Sequence, residues 1–131
     1  MKTLIAFILF ISLLLGIAVA AEDLKEEYSD PARTIEVAVG KEFAIVLESN
    51  PTTGYRWQIA GQLAEDIIKP VGNEYRGPKT MLVGAGGIEV WTFRATGKGD
   101  AEIGMEYVRP WEKDVVPAKT LTFRVIVGQP I

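Results

Sequence analysis

The chain has 131 residues, a formal net charge of −3, and neither cysteine nor histidine. That inventory excludes disulfide staples, Ser-His-Asp and Cys-His catalysis and the commonest zinc ligand, leaving carboxylates, Lys and Tyr for acid–base work. No basic cluster exceeds two adjacent Lys or Arg residues, so the footprint of a nucleic-acid binder is missing as well.

Met1-Lys2-Thr3 precedes an apolar run from Leu4 to Ala21, and Ala18-Val19-Ala20 supplies small residues of the kind a signal peptidase reads. Residues 1–20 are therefore expected to be a signal peptide and the protein to be exported: secreted, periplasmic or at the cell surface. The alternative is an uncleaved anchor, since the run is close to the lower limit for spanning a bilayer. Membrane contact is expected only in that case. Residues 21–32, rich in Glu and Asp, read as a solvated charged leader or a short helix, and residues 33–131 as one domain.

From Thr34 onwards the apolar pattern has period two. Ile35, Val37 and Val39 form a first inward row, and Gly40-Lys41 marks a tight turn. Phe43, Ile45 and Leu47, then Tyr55, Trp57 and Ile59, form two more. Ile67–Val71 reads as a weaker strand, extended by Asn73-Glu74-Tyr75. Pro70 cannot donate to a ladder, which places this strand at a sheet edge or on a bulge. Trp91, Phe93 and Ala95 follow, then Gly97–Asp100 with the composition of a hairpin turn, then Ala101, Ile103, Met105 and Tyr107. Leu121, Phe123, Val125 and Val127 close the pattern. About seven strands without helical periodicity predict an all-β fold, an antiparallel sandwich of immunoglobulin-like size.

Three segments interrupt the alternation. Asn50-Pro51-Thr52-Thr53-Gly54 is built to turn: Pro51 fixes its own φ, and Gly54 can reverse the chain at positive φ. It is either an ordinary connection or a rigid, uncharged tip held by Tyr55 and Trp57. Arg76–Gly87 holds four glycines and a proline around apolar Met81-Leu82-Val83. Long loops of this kind are usually functional or disordered. Its glycines either return the chain to the sheet or let a partner's backbone approach; no GxGxxG is present. In Arg109–Pro117, Pro110 stiffens Trp111 as an anchor, while Arg109 suits either a partner's carboxylate and carbonyls or an ion pair beneath the loop. With strands lettered A to G, these are the B–C, D–E and F–G loops, and all three fall at one end of the sandwich.

Asn50-Pro51-Thr52-Thr53-Gly54-Tyr55-Arg56-Trp57, Gly84-Ala85-Gly86-Gly87 and Arg109-Pro110-Trp111 together resemble, in order and spacing, the three signature loops of the chagasin-like inhibitors of papain-type cysteine proteases. The resemblance spans about Pro31 to Ile131. It implies a reversible, non-covalent inhibitor with no catalytic residues and no cofactor, metal or small-molecule substrate, expected to be a monomer whose partner is a papain-like cysteine protease. It also implies that the B–C loop meets the catalytic centre, with Asn50, Pro51, Thr52, Thr53, Gly54 and Tyr55 protease-binding. Thr52 and Thr53 would sit beside the protease's cysteine and histidine, where a hydroxyl or an amide N–H can satisfy the thiolate–imidazolium pair. Met81, Gly84, Gly86 and Gly87 would lie along the groove, with Arg109, Pro110 and Trp111 on the other side. The rival from the residues alone is an immunoglobulin-like surface module that recognises something other than a protease. An enzyme ranks behind both.

Overall fold

A computed structural model describes residues 25–79 and 85–129. The expected signal peptide lies outside these residues, as do Met81 and Gly84. The strands are β1 (Glu26–Tyr28), β2 (Ile35–Ala38), β3 (Glu42–Ser49), β4 (Arg56–Ala60), β5 (Ile68–Arg76), β6 (Gly87–Ala95), β7 (Gly99–Val108) and β8 (Lys119–Gly128). They form two four-stranded sheets, ordered β1-β3-β6-β5 and β2-β8-β7-β4.

The alternating apolar residues meet between the sheets. Phe43, Ile45, Phe93, Ile103, Met105, Phe123 and Val125 are almost completely buried, and Phe43 stacks on Phe93 with ring centroids 5.7 Å apart. β5 lies at an edge, and its register against β6 shifts between Pro70 and Gly72. Both outcomes open to a proline in a strand occur together: the missing N–H is tolerated at the edge, and the bulge absorbs the ring.

Two expectations are corrected. The charged leader is not wholly solvated, because Glu26–Tyr28 adds an eighth strand. β1 pairs in parallel with the start of β3, as β2 does with the end of β8. Only Tyr28 of β1 is buried, so period two has nothing to repeat over. Tertiary contacts make the strand. Tyr28 meets Phe43 edge-on at 6.3 Å, Arg33 lies 4.9 Å over its ring, and Lys25 pairs with Glu42 at 3.1 Å. Hydrogen bonds from Arg94 and then Lys25 hold the Glu42 carboxyl below its ordinary range.

The second correction concerns Gly97–Asp100. β6 and β7 lie in different sheets, so this turn crosses between sheets and closes no hairpin. Turn residues encode a reversal, not whether the next strand pairs with the last one. Here a Cβ on Gly97 would lie 2.3 Å from the Asp66 carbonyl oxygen, so the crossing packs against the segment before β5.

The consecutive antiparallel pairs are β5–β6 and β7–β8, one in each sheet. Their connections leave from the same pole as the crossing from β3 to β4: Ser49 is opposite Gly87, Arg76 opposite Ile88, and Arg56 opposite Val108. β1 and the end of β8 lie towards the other pole, away from the three loops.

Burial, followed by the hydrogen bond to Glu26, pushes the Tyr28 phenol up from 10.0 to about 12. The folded value is the raised one. Stability from Tyr28 is therefore complete below about pH 10 and is lost as pH rises towards about 12, where the unfolded chain has released a proton that the fold retains. Melting temperature is expected to fall more between about pH 9 and about pH 11 for the native protein than for Tyr28→Phe, as followed by circular dichroism.

Candidate functional site

The B–C loop is a single 3-10 turn, Pro51–Thr53, capped at both ends. Asn50 is extended (φ −128°, ψ 94°), and its side-chain oxygen accepts from the Thr52 amide at 3.3 Å and the Thr52 hydroxyl at 2.6 Å. The Thr53 amide and hydroxyl both donate to the Asn50 carbonyl, at 3.2 and 2.7 Å. Gly54 donates to the Pro51 carbonyl at 3.0 Å, and Tyr55 to the Thr53 hydroxyl oxygen at 3.4 Å. Both threonine hydroxyl protons and the amides from Thr52 to Tyr55 are therefore engaged within the turn. The hydroxyls act as internal braces of the turn. Pro51, Thr52 and Thr53 remain exposed.

Gly54 is fixed twice. It sits at φ 83°, where a side chain is strained, and a Cβ there would lie 2.3 Å from Cη2 of Trp111. The indole of the F–G loop thus rests on the glycine of the B–C loop while staying 67% exposed.

The turn stands on an aromatic column. Tyr55 stacks on Tyr107 at 5.2 Å, and Tyr107 meets Trp57 at 4.9 Å. The Tyr107 hydroxyl accepts the Asn50 amide at 2.9 Å, and Trp57 donates its indole N–H to the Glu48 carbonyl at 2.9 Å. Arg109 lies 4.5 Å over the Tyr55 ring. It donates to the Thr53 carbonyl at 3.1 Å and to Glu112 at 3.2 Å. Of the two roles open to Arg109, the geometry gives it the internal one, tying the F–G loop to the B–C loop.

Beneath the column sits Glu89 of β6. One of its oxygens accepts from the Ser49 hydroxyl (2.6 Å) and the Trp57 amide (3.2 Å), and the other from the Trp91 indole (3.2 Å). β4 is the edge of its sheet, so this carboxylate satisfies an edge amide of one sheet from a strand of the other.

Asn50, Thr53, Arg76, Lys79, Gly86 and Arg109 share the lining of one open cleft of about 1000 Å³, which brings the described parts of all three loops onto one surface. Residues 36–127 match the family model described as "Chagasin family peptidase inhibitor I42". The chain belongs to the chagasin family. Its members are peptidase inhibitors, and the protein is not an enzyme. Amoebiasin-2 of Entamoeba histolytica is 32% identical over 124 residues, 91% of this chain and 96% of that one. Chagasin of Trypanosoma cruzi is 38% identical over 81 residues, 60% and 74% of the two chains. Among solved structures, the E. histolytica cysteine protease inhibitor EhICP2 has a TM-score of 0.67 at 23% identity, over 79% of this chain and 95% of that one. The structure of PbICP-C in complex with falcipain-2 has a TM-score of 0.56 at 19% identity, covering 80% and 90%. Both share the fold.

Against this family frame, the structure gathers Asn50 to Tyr55, Gly86, Gly87, Arg109, Pro110 and Trp111 at one pole. Pro110 and Trp111 are exposed, and Tyr55 is half-buried as a support. At Gly87 the missing Cβ makes room for the protein's own β5, since a Cβ would sit 2.1 Å from the Arg76 carbonyl oxygen. That glycine needs no partner to account for it. At Gly86 a Cβ would lie 3.2 Å from the Ser49 carbonyl oxygen, setting the D–E hairpin against the base of the B–C loop. Among the described residues no group of His, Cys, Asp or Glu could hold a metal ion.

Glu89 and Glu112 escape a reading of the sequence, and Tyr107 reads only as an inward-facing ring. A glutamate between Ile88 and Val90 was the available signal, because it places a charge on an inward row. Glu89→Gln replaces one accepting oxygen with a donor facing other donors. It is expected to cost about 1–3 kcal/mol in urea unfolding and to weaken inhibition along with stability.

Proposed function

We propose that the protein is a reversible, non-covalent inhibitor of papain-like cysteine proteases, with the B–C turn at the catalytic centre and the D–E and F–G loops on either side. The family is one of peptidase inhibitors, and the fold is shared with inhibitors described as acting on, or bound to, cysteine proteases. The observation that carries the reading is the closed B–C turn. A protease cuts a chain that it holds extended, with a carbonyl aimed at the nucleophile. Pro51–Thr53 is instead curled into a 3-10 turn whose hydrogen bonds would have to break before any peptide bond could straighten. The turn can occupy the cleft without acting as a substrate. Little freedom remains to be lost on docking, and that preorganisation favours affinity.

Topology supports the order of the loops. The D–E hairpin belongs to one sheet and the F–G hairpin to the other, while the B–C loop crosses between them and so stands in the middle of the row. Export, proposed from the apolar N-terminal run, fits this arrangement. The first described strand, β1, starts towards the pole opposite the loops.

Residues 21–131, which include every strand of both sheets, are expected to inhibit papain competitively against a small fluorogenic substrate and to be recovered uncleaved. Thr53→Trp puts a bulky group on the exposed turn and removes one of its hydroxyl braces. It is expected to raise Ki by roughly two orders of magnitude while the circular dichroism of the folded sandwich is retained. No inhibition by the native protein at micromolar concentration would refute the target class. An unchanged Ki for Thr53→Trp would refute the placement of the loop.

A further inference from the structure

Four hydrogen bonds of the B–C turn end on one residue. The side-chain oxygen of Asn50 accepts the Thr52 amide and hydroxyl, and its carbonyl accepts the Thr53 amide and hydroxyl. The shape of the turn therefore depends on where Asn50 is held. Asn50 is also where the chain leaves the sheet, between the end of β3 at Ser49 and the 3-10 turn that opens at Pro51. Pro51 biases Asn50 towards the extended backbone it adopts, but that bias spans a broad range of φ and ψ. A fixed contact has to select one conformation from the range.

We infer that Tyr107 is the positioning residue that keeps the B–C turn an inhibitor rather than a substrate: its hydroxyl holds the Asn50 amide, and Asn50 holds the turn. This inference rests on the function proposed above. The bond joins residues 57 positions apart and ties the end of β3 to β7 of the other sheet. The acceptor is itself held firmly. Tyr107 is 8% exposed, pairs with Trp57 on one side and Lys119 on the other, and takes the Ala118 amide on its carbonyl at 2.9 Å. Tyr55 and Trp57 pack against its ring, and the Lys119 ammonium lies 5.7 Å over it. The hydroxyl oxygen is therefore a fixed point set by the core.

Removing the hydroxyl leaves the aromatic column standing and takes away only the acceptor. Asn50 can then shift together with the bonds that it carries, and the turn gains freedom to straighten a peptide bond towards a nucleophile. The tether from Arg109 to the Thr53 carbonyl holds the other end of the turn and does not fix Asn50. Tyr107, buried beneath the turn, has no need to touch a protease. It acts through Asn50.

The test is Tyr107→Phe in residues 21–131, with Tyr28→Phe as its comparison. Tyr28→Phe removes a hydroxyl bond of another buried tyrosine towards the opposite pole, so it reports the effect of such a loss on stability alone. Each variant is titrated against papain, and its fragments after long incubation are identified by mass spectrometry. Tyr107→Phe is expected to raise Ki roughly tenfold and to be cleaved slowly between residues 50 and 55. Tyr28→Phe is expected to keep the native Ki and to stay intact. A Ki for Tyr107→Phe within about twofold of the native value, or a weakened inhibitor that remains uncleaved, would overturn the inference and leave the proposed function intact. Scattered cleavage of both variants would overturn it as well, by assigning the effect to general loosening. In the native protein the Asn50 amide is expected to exchange slowly with solvent deuterium, and rapid exchange there would overturn the inference without any variant. Failure of the native protein to inhibit papain would strike the proposed function first and this inference with it.

Discussion

Glu89 stands on β6 in one sheet, yet it accepts the amide of Trp57 on β4, the edge strand of the other. The same carboxylate takes the Ser49 hydroxyl at the end of β3, where the B–C loop begins, and the indole of Trp91 in the core. A sandwich is held mainly by non-directional burial, which sets the distance between sheets but tolerates sliding. The bond from the Trp57 amide to Glu89 crosses between the sheets and does not tolerate sliding, because it loses strength steeply with angle and distance. The Ser49 and Trp91 bonds, within Glu89's own sheet, hold the carboxylate in place. Glu89 therefore fixes the two sheets against one another at the pole where the loops emerge. The indole of Trp57 on the Glu48 carbonyl and the amide of Asn50 on the Tyr107 hydroxyl repeat the device higher up.

The loops inherit their positions from this tie. The B–C turn leaves β3 and enters β4, the two strands that Glu89 joins. Above it, Tyr55 is packed between Tyr107 and the guanidinium of Arg109, so the F–G hairpin presses on the same column that the B–C turn stands on. With Arg109 on the Thr53 carbonyl and Trp111 on Gly54, the two loops share contacts and form one unit. A change in either is expected to propagate to the other, which is why Arg109 acts as a positioning residue as well as part of the loop motif.

Much of this was legible in the sequence wherever a signal is periodic or conformational. Alternation placed Phe43, Ile45, Phe93, Ile103, Phe123 and Val125 inside, and Pro70 marked an edge and a bulge because its missing N–H is a local fact. Gly54 announced a reversal, and it sits at φ 83°. What stayed hidden depends on partners far along the chain. β1 has one buried side chain and exists through Phe43, Arg33 and the Lys25–Glu42 pair. Gly97–Asp100 has the chemistry of a turn, and nothing local to it says whether β7 returns to the same sheet. Glu89 reads as one more charged residue until the strand 32 positions earlier is brought to it. The ambiguity at Arg109 was genuine for the same reason: a guanidinium suits a carbonyl of its own chain as well as one of a partner, and the Thr53 carbonyl claimed it.

The closed turn also limits where affinity can come from. A loop that engages its own amides and hydroxyl protons is rigid and hard to cleave, but it has few donors left to offer a thiolate or a carbonyl in a cleft. Directional bonding at its tip is correspondingly modest, and most of the net gain must come from area removed from water. That surface is found beside the turn. Trp111, Val115 and Val116 are each exposed on a hairpin already bound to the turn through Arg109 and Gly54. Rigidity at the centre and apolar surface at the flank are two parts of one arrangement. Under the proposed function, a self-satisfied centre would resist hydrolysis and exposed apolar residues at its flank would supply the adhesion that such a centre lacks.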